Sequence, residues 1–472
     1  MRKVPKEAIR RQLITLFPVN MNVLMMGCAI GWLPNAIYFL MHGDEVHATF
    51  SQCDLIASLS QLGKLVFAIP GGLVVDKYGR KKVIIGVAFL NFFSWLGLSS
   101  STSLIAIYVG QFALGAGQAL TQEAYSIAIG ETASPAIRGQ LSSVSQIFLT
   151  IGVILPAVIS VIFSSYKILA WIVTLLSFLS LLSMVMVSET PNFLISTSKF
   201  DQAREKLEIL RRGCPVDEID SEFEDLKKYI ENENARRDQL NWLTFLKLKS
   251  TRGPILTAIL IKFFTTGTGR SLITTYVTTI YPANEFVPKK YYPLIMQIII
   301  LLINVFTAFY IEKFPRRAII IFGAIAITYS NSFSALVNYI HSKNQSEIFN
   351  GLFLLGNVLY LIFFNGMVQP INSTIKTELF PQAVKGFGGS VTIVSQAVST
   401  LISYQTYYFI TKYFYLYDMY VVLAINSLVL AAIVYFLLPE SRGSTLVDVQ
   451  MNFQPNREPC NNGSKEVRTR ET

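Results

Sequence analysis

From Val421 to Leu438 the chain runs without a single charged side chain, and comparable apolar runs recur along its whole length. A helix needs about 20 such residues to cross the hydrocarbon core of a bilayer. Only helices and closed barrels satisfy every backbone polar group there, so runs this long predict membrane helices. Composition supports the class: 52% of the 472 residues are hydrophobic and 15% are charged, where a soluble chain carries about 25% charge. Twelve runs can be marked, at 17–40, 54–75, 83–101, 104–129, 141–163, 167–188, 254–281, 291–311, 317–340, 347–371, 386–410 and 418–438. The expected fold class is an all-α membrane protein of twelve transmembrane helices. Arg2, Lys3, Lys6, Arg10 and Arg11 precede the first run. That run is too long for a signal sequence and has no small-residue cleavage site, so it reads as a retained span.

Basic residues collect on the cytoplasmic side of membrane proteins. With both termini placed inside, only Lys167, Lys289, Lys290, Lys343 and Lys412 fall in external segments, and Lys64, Lys262 and Arg270 fall within spans. The same asymmetry accounts for the net charge of +10, which suits anionic lipid better than nucleic acid. The reading is a multi-pass plasma-membrane protein with a lipid bilayer and a small solute as partners. No obligate protein partner and no cofactor are expected. Cys28, Cys53, Cys214 and Cys460 are scattered and make no metal spacing or disulfide framework. His42, His47 and His341 read as ordinary loop residues. Asn344-Gln345-Ser346 is a glycosylation sequon on the outer side, between spans nine and ten.

The charged landmarks repeat. Asp76 precedes Arg80-Lys81 after span two, and Glu312 precedes Arg316-Arg317 after span eight. Glu131, Pro135 and Arg138-Gly139 follow span four, matched by Glu378, Pro381 and Lys385-Gly386 after span ten. Glu189-Thr190-Pro191 follows span six and Pro439-Glu440-Ser441-Arg442 follows span twelve. Two parallel six-helix halves are the repeat architecture of an alternating-access carrier, with the solute near the midplane between them. The division expected is an N-terminal segment 1–16, a bundle 17–189, a cytoplasmic linker 190–253, a bundle 254–440 and a tail 441–472. Asp76, Arg80, Glu131, Arg138, Glu189, Glu312, Arg316, Glu378, Lys385 and Glu440 are the candidate inner-gate network, built of charge pairs weak enough to break. In the linker, Phe200, Ala203, Leu207 and Leu210 form one helical stripe; Phe223, Leu226, Tyr229 and Ile230 form another.

These motifs resemble the sugar porter family of the major facilitator superfamily over roughly residues 15–450. The family's D-x-x-G-R-R/K signature is matched by Asp76, Gly79, Arg80 and Lys81. Its E-x-x-x-x-x-x-R-G is matched by Glu131, Arg138 and Gly139, and its P-E-S-P-R-F-L is similar to Ser188 to Leu194. The closing P-E-T-K-G-x-T-L is similar to Pro439 to Leu446. The short first outer loop is more like the facilitated trehalose transporters than the glucose transporters. The resemblance implies the major facilitator fold, solute transport and no enzymatic activity. It also implies a sugar-contacting glutamine at Gln146.

Elsewhere the chain departs from the family. The span-seven Q-Q-L-S-G-I-N falls on Thr265-Thr266-Gly267-Thr268-Gly269-Arg270-Ser271. The span-ten G-P-x-x-W falls on Gln369 to Ser373, an asparagine-tryptophan pair becomes Gln396-Ala397, and a span-four arginine becomes Gln111. Thr265, Thr266, Arg270, Ser271, Ser373 and Gln396 join Gln146 as candidate substrate-binding residues. The two glycines of span seven permit either an unwound, cavity-lining turn or close helix packing. An intramembrane arginine costs at least about 2.5 kcal/mol, so Arg270 either faces the cavity or snorkels outward. Lys64 in span two and Glu123 in span four are further charges within spans, at different expected depths. Span one reads Gly31-Trp32-Leu33-Pro34 where proton-coupled sugar porters carry an aspartate, so the expected mode is passive uniport of a hexose or trehalose. The alternatives are a carrier of another polar or anionic solute, and a non-transporting sensor.

Overall fold

The computed structural model describes residues 5–43, 46–134, 137–163, 165–239, 249–281, 288–310, 315–343, 347–370 and 385–438. Every regular element among them is a helix. Ten helices are long and apolar enough to cross a membrane. Spans one to six are Lys6–His42, Phe50–Tyr78, Arg80–Ser100, Leu104–Thr132, Arg138–Phe163 and Tyr166–Met186. Spans eight, nine and twelve are Tyr292–Tyr310, Arg316–Lys343 and Leu416–Leu437, and span ten is Glu347–Phe363 continued by a π-helical turn, Phe364–Val368. Two further spans complete the twelve. Span eleven, Lys385–Tyr413, is long enough, but hydroxyls such as Ser395, Ser399 and Thr400 interrupt its apolar surface. Span seven is cut into Lys249–Gly267, Arg270–Thr275 and Val277–Ile280.

The packing repeats as the charged landmarks do. Span one lies on five, and three lies on four and six; seven lies on eleven, and nine on ten and twelve. The chain thus folds as two six-helix halves. They meet along two seams, span two against eleven and span five against eight.

Small residues set the spacing in the first half. A Cβ on Gly31 would lie 2.1 Å from the Val153 carbonyl of span five, and one on Gly115 would lie 1.9 Å from the Ser60 carbonyl of span two. Backbones this close gain dispersion and leave no room for lipid. Hydroxyls fasten the same contact: Ser145 donates to Asn20 at 2.5 Å and Ser160 to Asn35 at 2.7 Å.

The linker forms Pro191–Ser196, Phe200–Leu210 and Val216–Gln239, with Leu194, Ala203, Leu207, Ile219 and Phe223 as their own small core. Both expected stripes face it except Leu210, which is buried outside this cluster, and Tyr229, which is 43% exposed. Ile230 follows Phe223 by two full turns and takes the inward position, so its neighbour Tyr229 is rotated out. The linker is docked on the first half. Gln12 of span one donates to Ser134 at 2.8 Å and to the Leu210 carbonyl at 3.1 Å. Arg211 spans from Glu222, at 2.8 Å, to the Thr132 carbonyl at the end of span four, at 3.2 Å. The side bearing these helices is called the linker face below, and the opposite side the far face.

Candidate functional site

Span seven breaks where glycine and threonine alternate. The bonds from the Thr268 and Gly269 amides to the Thr265 and Thr266 carbonyls are stretched to 3.4 Å. Gly269 then takes φ 107°, a conformation that any Cβ disfavours, before Arg270 restarts the helix. Two threonine hydroxyls turn back onto their own helix: Thr266 donates to the Lys262 carbonyl and Thr268 to the Thr265 carbonyl, both at 2.8 Å. The Thr265 hydroxyl is buried with no partner among the described residues.

Opposite this break lies the π-helical turn of span ten. The Arg270 guanidinium sits 5.8 Å from the centre of the Phe364 ring. Tyr360, stacked on Phe364 and fully buried, stands beside it. The arginine therefore turns inward onto span ten and does not snorkel outward. Its Nε is buried without an acceptor among the described residues, and no described carboxylate pairs with it. A desolvated cation–π contact is worth about 2 kcal/mol or more, and a buried charge without its partner costs about 3–5 kcal/mol. Asn365, next to Phe364, also keeps its side-chain oxygen buried with no partner among the described residues. Breaks and π-turns inside membrane helices belong where the protein lines a cavity.

On the far-face side of the break, the two halves are locked by an acid that the sequence reading overlooked. Asp54 stands one turn into span two, 4% exposed. It accepts from the Tyr276 hydroxyl of span seven at 2.5 Å and from Gln405 of span eleven at 3.1 Å. Gln405 also donates to Ser58 at 3.0 Å. Phe50, Tyr276, Tyr404 and Tyr407 close the gap with tilted and edge-on rings. Asp54 is the first residue of its apolar run, which made it look like a solvated helix end. Only the span packing puts it under the opposite half.

On the linker face, Arg80 lies 2.8 Å from Glu131 and 3.6 Å from Asp76. Glu131 accepts from the Thr190 hydroxyl at 2.5 Å. Gly79 turns the chain with φ 88°, and its successor, the Arg80 amide, donates to Glu189 at 3.0 Å. Arg80 also covers the Phe193 ring at 5.5 Å. Asp76, Arg80, Glu131 and Glu189 thus meet at one point. Arg138 does not join them: it is exposed at the start of span five and pairs with no described acid. Arg316 and Lys385 open spans nine and eleven. Glu312, Ser373, Glu378, Glu440 and Asn344 lie outside the described residues, as does the Lys385 side chain.

Of the expected binding residues, Thr265, Thr266, Arg270 and Ser271 gather at the span-seven break. Gln396 is half-buried on span eleven between Ser395 and Ser399, which donate to the Ile259 and Phe263 carbonyls of span seven. Gln146 is exposed and bonds to no described side chain, while its neighbour Ser145 holds span one. Lys64 and Glu123 are both buried, on spans two and four, which pack together, and Glu123 reaches the seam at Gly389 of span eleven.

Two six-helix halves, the second with two interrupted helices facing one another, define a carrier of the major facilitator type. The family model "Sugar (and other) transporter" matches residues 24–453, and the chain belongs to that family. Facilitated trehalose transporter Tret1 of Bombyx mori is 23% identical over 462 residues, which span 96% of this chain and 89% of the relative. Sugar transporter ERD6-like 6 of Arabidopsis thaliana is 25% identical, covering 87% and 84%. Among solved structures, the xylose transporter XylE from E. coli in its inward-open conformation superposes with a TM-score of 0.76 at 16% identity, over 95% of this chain and all of that one. The chain is therefore a sugar-family membrane transporter and not an enzyme.

Proposed function

We propose that this protein is a passive uniporter carrying a sugar, a hexose or trehalose, across the plasma membrane by alternating access. The observation that carries this reading is the pairing of a far-face lock between the halves with a separate linker-face charge cluster. Asp54, Tyr276 and Gln405 would open to admit the solute from one side, and the cluster around Arg80 and Glu131 would govern the other. Each rests on a few charge-assisted bonds, so neither closed state is held deeply. The solute would sit between the span-seven break and span ten, reached by Thr265, Thr266, Ser271, Gln396 and, beyond the described residues, Ser373. The distribution of lysine and arginine supports a cytoplasmic linker face and termini. It also supports an external position for the Asn344 sequon, where glycosylation would occur. The names of the trehalose-transporting relatives support the substrate class, and the absence of an acid at Gly31-Trp32-Leu33-Pro34 supports uniport.

The test is uptake of labelled glucose and trehalose by the purified protein in liposomes, with and without a proton gradient at constant voltage. Saturable uptake of one sugar, unchanged when the gradient is dissipated, is expected. Uptake that collapses with the gradient would replace uniport by symport, and no flux of either sugar would refute the substrate.

A further inference from the structure

We propose that the carried solute bears a carboxylate, and that Arg270 is the residue that selects it; this rests on the sugar-carrier reading and puts a sugar acid in place of the neutral sugar as the preferred substrate. The guanidinium lies inside the protein, between the broken turn of span seven and the π-turn of span ten, with Phe364 on one side and no described acid against it. Its buried Nε has no acceptor among the described residues. A cation held in this way between two interrupted membrane spans is an incomplete pair, and a ligand oxyanion completes it. The planar fork of arginine matches a carboxylate in a bidentate fit, which a neutral sugar hydroxyl cannot reproduce. Thr265 and Asn365, on the same two spans, keep a buried hydroxyl and a buried amide oxygen without partners among the described residues. Such groups suit the hydroxyls of a sugar body.

The charge count favours a monoanion. The next cation in the span, Lys262, stands eight residues earlier, about 12 Å along the helix. A phosphate monoester, carrying about −1.5 to −2, would keep part of its charge unmatched by one arginine. A monoanion moved by uniport also carries one charge across the bilayer. Its accumulation then follows the membrane potential, about tenfold per 59 mV.

The experiment uses the full-length protein in liposomes, with labelled glucuronate, glucose and lactate as probes and a potassium–valinomycin potential. The wild type is expected to prefer glucuronate over glucose at least tenfold in KM, and to accumulate it tenfold when the lumen is made about 59 mV positive. In Arg270→Gln the glucuronate-to-glucose preference should fall about thirtyfold or more, and Arg270→Lys should restore most of it. An arginine that only braces the fold would leave the preference ratio and the voltage response unmoved, which would overturn the proposal. Carriage of glucose with no glucuronate would also overturn it while leaving the sugar-carrier reading intact. Arg270-dependent carriage of lactate alone would keep the carboxylate and remove the sugar. No flux of any probe through monodisperse protein would sink both readings. Should Arg270→Gln not survive purification, wild-type selectivity and its voltage response decide alone.

Discussion

The two halves share a helix-packing pattern and differ in what they do with it. In the first half the six spans are continuous helices, and their contacts are glycine-tight: span one against five at Gly31 and span two against four at Gly115. In the second half the equivalent of span one is cut twice, and the equivalent of span four ends its regular stretch in a π-turn. Its fastenings are single side-chain hydrogen bonds, as from Ser395, Ser399 and Asn426 to carbonyls of span seven. Close backbone packing tolerates no rearrangement without clash, whereas a hydroxyl can change acceptors at little cost. The first half thus reads as the rigid partner, carrying the docked linker, and the second as the half that bends around the solute.

That contrast can be broken most forcefully at Gly31. Leucine there would drive its Cβ to within 2.1 Å of the Val153 carbonyl. Gly31→Leu should cost about 3 kcal/mol or more and abolish the monodisperse peak in size-exclusion chromatography. A variant as stable as the parent would end the idea of a rigid first half. The far-face lock comes next. Tyr276→Phe removes a donor from a buried carboxylate, a loss of about 2 kcal/mol, or roughly thirtyfold toward the opened far face. Distances between spin labels at Lys167 and Lys412 report it. A distribution identical to wild type would show that Asp54 is held by Gln405 and packing alone.

The smallest effect on stability is expected at Gly269. Forcing alanine into φ 107° costs about 1–2 kcal/mol. The transport rate should fall more than this stability loss alone would bring about, because the broken turn is where the solute is read. Thermal unfolding and uptake measured on the same preparation separate the two. An equal fall in both would make the turn a structural detail.

Much of the fold was legible in the chain because membrane helices declare themselves by length and hydropathy. Ten of the twelve spans pass that criterion, and the two that do not are those cut by glycines or studded with hydroxyls. The repeated landmarks put Asp76, Arg80, Glu131, Glu189 and Arg138 in one candidate network; in the structure the first four meet and Arg138 stands apart. Asp54 escaped notice because an acid at the first residue of an apolar run has the same local signature whether it meets water or another helix.

What the sequence determined by itself is local: which segments are apolar enough for the bilayer, where glycines loosen span seven, and that one arginine lies inside it. Hydrophobicity and backbone freedom are properties of neighbouring residues, so a linear reading finds them. Tertiary structure decided which surfaces face each other. It alone brought Tyr276 and Gln405 onto Asp54 across more than 200 residues of chain. It alone turned Arg270 onto Phe364 and left it without a described acid. A charge's partner is fixed by the packing of distant helices, and that packing is written in no single stretch of the chain.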